Sequence, residues 1–133
     1  VLLNALIKLI KIVLGEFQRM EVKGDDYRVW YEQADTVIYC QGSLRLAGTE
    51  EYAPIVQILE NVIGQNPKKI TLNLCQLEFL NSSGINVLSK FVIKVRQKET
   101  IKITVQGSEN IPWQGKSLKN LQRLMPSLNL DWI

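Results

Sequence analysis

A chain of 133 residues has room for one domain around a single core, and its 46% hydrophobic and 22% charged content is ordinary for a globular protein. With 16 Lys and Arg against 13 Asp and Glu the net charge is +3; the cations are scattered, the longest run being Lys68 and Lys69, so no basic tract marks a nucleic-acid partner. There is no histidine, which excludes a Ser–His triad, a Cys–His pair and histidine-containing zinc sites.

The chain opens with VLLNALIKLIKIVL, in which Asn4, Lys8 and Lys11 fall on one helical face and everything else is apolar. The run is too short to span a bilayer, and GEFQRM after it offers no signal-peptidase site. Residues 1–19 are therefore expected as an amphipathic extension. Three fates remain open for it: docking on its own domain or a second copy, contact with a membrane surface, or an addition to a natural chain that starts near Met20. A broad apolar face of this kind requires a partner.

From residue 20 onward one domain is expected. After the turn residues KGDD, YRVWYEQ and TVIYCQGSLRL are strand-like and joined by QAD, which predicts a hairpin. Thr49 is the expected N-cap of a helix, with Glu50 and Glu51 in its first turn, Pro54 near the tolerated first turn, and Tyr52, Ile55, Val56, Leu59, Val62 and Ile63 on its inner face. KITLNLC alternates as a half-buried strand and is expected to run into a short acidic turn. A second helix begins at Ser82 or Ser83 with Ile85, Leu88, Phe91, Val92 and Val95 inward. IKITVQG is the next strand; a last helix carries Leu118, Leu121, Leu124 and Met125, Pro126 ends it, and LNLDWI adds a short strand. Helices returning between strands imply an α/β fold with a mixed sheet. Cys40 and Cys75 match no metal spacing and read as small core residues of a reduced, cytoplasmic protein.

The chemistry concentrates at NSSG, residues 81–84. Two hydroxyls stand where a helix begins, and the first N–H groups of a helix lack intrahelical acceptors and favour negative charge. A serine there either caps the helix or accepts a phosphate. Gly84, lacking a Cβ, admits a close approach by another backbone or a nucleotide phosphate. A catalytic serine is the weakest option, since no histidine stands as its base and no G-x-S-x-G elbow is present. NIPWQGKS resembles half a P-loop, but Asn110 stands at the first glycine position, and Pro112 and Trp113 stiffen the loop. Gly115 reads instead as a turn before the last helix, and Trp113 as a lid or an interface residue. No catalytic residue, metal or cofactor is expected.

LNLCQLEFLNSSGINVL, residues 72–88, resembles the central motif of STAS domains, the module shared by sulfate transporters and bacterial anti-sigma factor antagonists, and the order of elements over about residues 27–132 resembles theirs. The resemblance implies a STAS-like mixed sheet with helices packed against it. It implies a cytoplasmic, non-enzymatic signalling module acting in transcription regulation. It further implies a serine kinase that doubles as an anti-sigma factor, and a phosphatase that reverses its action. The phosphoacceptor would be Ser83, with Ser82 as the helix-capping neighbour and alternative acceptor; Asn81, Ser82, Ser83, Gly84 and Ile85 would form the partner surface. Asn81 stands where the family has Asp, and Asn73 replaces an acid in the preceding strand. The alternative reading is a STAS-like module that works without phosphorylation, held at a membrane surface or self-associating through its N-terminal helix.

Overall fold

The computed structural model describes the backbone of residues 1–18 and 20–133 and the side chains of residues 1–10 and 20–133; the expected place of Lys11 on the polar helical face lies outside these. The elements are α1 (Leu2–Gln18), β1 (Glu21–Lys23), β2 (Tyr27–Glu32), β3 (Val37–Leu44), α2 (Gly48–Gly64), β4 (Lys69–Leu80), α3 (Ser82–Lys98), β5 (Lys102–Gly107), α4 (Gln114–Leu124) and β6 (Asn129–Trp132).

The expected hairpin is β2 and β3, antiparallel with Trp30 opposite Tyr39. The strand β1, too short to show a period in sequence, adds to its outer edge. The next three strands join in sequence order, each parallel to the last, so the sheet reads β1-β2-β3-β4-β5-β6. Each parallel join needs a helical crossover. Crossovers of one hand that advance in one direction put their helices on one side. Accordingly α2 packs on α3 and α3 on α4. Val29, Ile38, Leu72 and Val105 are buried beneath them, whereas Arg28, Trp30, Gln41 and Asn73 on the opposite face stay partly or fully exposed. On that open face Trp30 stacks on Tyr39 at 4.9 Å and the Arg28 guanidinium lies 3.9 Å from the Trp30 ring centre.

The two cysteines part company. Cys40 faces the core, and burial pushes its thiol up to about 12, so it stays protonated. Cys75 follows the alternation of Thr71 and Asn73 onto the open face and is only half-buried. Between Asn73 and Gln76 the pairing with β3 slips by one residue, and Leu74 and Leu77 both point inward. The bulge strands a Cys75 N–H, which the Asn73 side chain accepts at 3.0 Å. It also leaves carbonyls free at Leu74 and Leu77. The wholly buried Gln114 donates to both, at 2.7 and 3.1 Å, and accepts the Ser108 N–H at 2.8 Å. The Trp113 indole N–H donates to Leu77 at 3.0 Å. Trp113 is therefore an anchor between the loop and β4.

Three local expectations need correction. The acidic turn after KITLNLC is strand, since bulged β4 continues to Leu80. Thr49 does not cap α2: Ala47 holds the cap position, and the Glu51 carboxylate accepts its N–H, which is how this helix starts without a capping hydroxyl. Pro54 lies well inside α2, beyond the first turn, and six buried residues from Tyr52 to Ile63 hold the helix through it. A proline there costs about 3 kcal/mol, whereas burying each large aliphatic side chain gives about 1.5–3 kcal/mol.

Candidate functional site

The site is the junction where β4 turns into α3, at the C-terminal ends of the parallel strands β3 and β4. Asn81, in extended conformation, is the N-cap, and its Oδ1 accepts the Gly84 N–H at 2.9 Å. The capping role expected of Ser82 thus belongs to its neighbour. Asn81 does more than cap. Its Oδ1 also accepts the Tyr52 hydroxyl at 2.7 Å, its Nδ2 donates to the Leu46 carbonyl at 2.8 Å, and its own N–H donates to the Leu44 carbonyl at 3.1 Å. One residue therefore fastens the end of β3, the start of α2 and the start of α3. An amide suits this position because it both donates and accepts; an ionised carboxylate accepts only and would oppose the Leu46 carbonyl. Burial pushes the Tyr52 phenol up, keeping it a hydroxyl donor.

Gly84 serves the same clamp. A Cβ there would lie 2.2 Å from Leu80 Cδ1 and 2.7 Å from the Tyr52 oxygen. The close approach expected at this glycine is thus internal, between α3 and the side chains of Tyr52 and Leu80, and not toward a nucleotide phosphate.

With the cap supplied by Asn81, both serine hydroxyls are left over. Ser82 is exposed and Ser83 half-buried, both in the first turn of α3, and neither hydroxyl bonds to another described residue. The turn contains no carboxylate, so its free N–H groups set the local field. Ile85 is half-buried beside them. The five expected partner residues therefore divide: Asn81 and Gly84 build the junction, while Ser82, Ser83 and Ile85 reach its surface. Sequence reasoning missed Phe79 and Arg45. Phe79 is 39% exposed, and the Arg45 guanidinium sits 4.5 Å from its ring centre, two residues before the cap. Phe79 lies in the part of β4 beyond Cys75, where a turn and not a strand was expected.

The half P-loop forms no phosphate cradle. Gly115, Lys116 and Ser117 lie within α4, and the loop before it is tied to β4 through Trp113 and Gln114. Among the described residues no three of His, Cys, Asp or Glu gather where a metal could be held.

The clamp makes a quantitative prediction. Asn81→Ala removes the cap and a bond to α2 and leaves the Leu46 carbonyl unsatisfied, so the domain is expected to lose about 2 kcal/mol. Urea unfolding of both proteins measures this; a loss below about 0.5 kcal/mol would show that the clamp does not hold the junction.

No protein-family model matches the sequence, and no curated protein matches it significantly. Solved structures do match. A chain from the complex of the diguanylate cyclase SiaD with its activator SiaC from Pseudomonas aeruginosa superposes with a TM-score of 0.66 at 10% identity, over 85% of this chain and 98% of that one. Apo-SiaC from the same organism gives 0.64 at 10% identity, covering 84% and 95%. An anti-sigma factor antagonist from Mycobacterium paratuberculosis gives 0.59 at 24% identity, covering 80% and 88%. The fold is STAS-like. Within the STAS-like domain, the Asn81 junction lies where a parallel strand hands over to a helix, a location at which α/β folds commonly present functional groups. No helix of the described residues is long and apolar enough to cross a membrane.

Proposed function

We propose that this STAS-like domain is a non-enzymatic regulatory module that works by contacting another protein, in the manner of an anti-sigma factor antagonist, and that phosphorylation of Ser83 switches the contact. The observation that carries this reading is the division of labour at α3: Asn81 caps the helix, so the two hydroxyls beside it are free for something else. The solved structures support a regulatory role, since one neighbour is an anti-sigma factor antagonist and another is an activator seen with the enzyme it activates. The chain supplies no base for either serine. The base, the nucleoside triphosphate and its metal therefore belong to a partner serine kinase, and a phosphatase restores the hydroxyl. The product would carry about −1.5 to −2 charges at a helix start that favours them.

A second reading has the surface bind its partner with no phosphate switch. It is favoured by Phe79 and Arg45, since an exposed aromatic beside an arginine is typical of interface anchors. Fragment mass spectrometry of the protein isolated from its native cells separates the two. Phosphate on Ser83 supports the switch, phosphate on Ser82 alone moves the acceptor by one residue, and an unmodified junction peptide under every growth condition leaves the second reading.

A further inference from the structure

Cations that look scattered in sequence are gathered by the fold. Helix α3 carries Lys90, Lys94, Arg96 and Lys98, and α4 carries Lys116, Lys119 and Arg123; neither helix contains an Asp or Glu. All seven side chains are exposed, and the two helices pack side by side. Arg96 is engaged with the Leu124 carbonyl at 2.8 Å, and Lys94 pairs with Glu60 of α2. Among the described residues the other five make no ion pair. A net charge of +3 thus conceals a cationic pair of helices, bordered on one side by α2, which carries Glu50, Glu51 and Glu60 and no cation.

The same molecule carries an apolar helix without a described partner. In α1, Leu2, Leu3, Leu6, Ile7, Leu9 and Ile10 are 41–87% exposed. At 17 residues α1 is about 25 Å long, short of the roughly 30 Å of a bilayer core. An amphipathic helix of that length with lysine on its polar side lies in the interface and does not span it.

We propose that this chain docks on an anionic lipid surface through two elements together, α1 in the headgroup boundary and the α3–α4 basic face against the headgroups. A single apolar anchor holds a protein only marginally, whereas an anchor joined to a basic patch holds it stably. Each cation near an anionic leaflet adds roughly fivefold to affinity. A nucleic acid would satisfy the basic face and leave the apolar helix in water, so charge and hydrophobicity together select a membrane. The inference is independent of the phosphoserine reading.

Vesicle flotation of the full chain tests it, with phosphatidylcholine alone and phosphatidylcholine mixed with phosphatidylglycerol. Binding is expected on the mixed vesicles, little on the neutral ones, and a steep fall as salt rises. Reversing α4 with Lys116→Glu, Lys119→Glu and Arg123→Glu is expected to weaken binding by at least about 100-fold, with unchanged far-ultraviolet circular dichroism. A second variant, Lys90→Glu with Lys98→Glu, should weaken it with α4 intact, and Leu6→Glu with Ile10→Glu should abolish it. Ser83→Ala should bind as the parent does. Equal binding to neutral vesicles, or full binding by both charge-reversed variants, would overturn the proposal. So would capture by soluble polyglutamate with none by vesicles, which would assign the face to an acidic protein.

Discussion

Gln114→Ala is expected to lower the unfolding free energy by about 3–4 kcal/mol. The side chain is wholly buried and makes three hydrogen bonds to backbone groups that the β4 bulge and the β5–α4 turn leave without ladder partners. Truncation orphans the Leu74 carbonyl and the Ser108 N–H, each costing about 1–3 kcal/mol when buried, and opens a small cavity besides. The Leu77 carbonyl keeps the Trp113 indole, so one of the three bonds has a reserve. Urea unfolding measures the loss, and a decrease below about 1 kcal/mol would mean that water replaces the amide freely. Gln114→Glu sharpens the test. Its carboxylate retains an acceptor for Ser108 but faces two carbonyls, so burial raises its folded pKa above the unfolded value. That variant should be least stable at neutral pH and recover as pH falls and the acid protonates.

Ser83→Asp is expected to weaken binding of the protein partner by about 100-fold, or about 2.7 kcal/mol, with little change in melting temperature. The fold tolerates the charge because it sits at the start of α3, where no carboxylate competes and the helix field is favourable. The partner does not tolerate it, since a charged group must be desolvated where a hydroxyl was. Ser83→Ala should bind within about threefold of the parent, because that hydroxyl bonds to no other described residue. Titration calorimetry against the partner co-purified from native cells decides this. If both variants bind like the parent, Ser83 is no switch, and Ser82 becomes the position to alter.

The periodic parts of this fold were legible because burial writes itself into spacing. The inner stripes of α2 and α3, the β2–β3 hairpin and the alternation at Ile70, Leu72 and Leu74 all follow from one face being dry. Features that depend on an extra residue or a single torsion were not. The β4 bulge inserts a residue without altering composition, so the continuation of the strand to Leu80 does not show in the spacing. Cys75 lies before that break, and the alternation with Leu72 and Leu74 already assigns it to the open face rather than the core. At the junction, Asn and Ser are nearly equal as caps, and only the extended backbone at Asn81 distinguishes them. Tyr52 was visible as a buried stripe residue, but periodicity says nothing about where a phenol oxygen points. Its bond to Asn81 spans 29 positions and exists only once α2 and α3 lie side by side.

Both outermost strands are brief: β1 has three residues and β6 has four. Little unpaired ladder is on offer at either rim, so growth into fibrils or ribbons by strand addition is disfavoured. Side-chain contacts are thereby favoured over shared backbone in any assembly of this protein, and contacts of that kind are open to tuning by single substitutions.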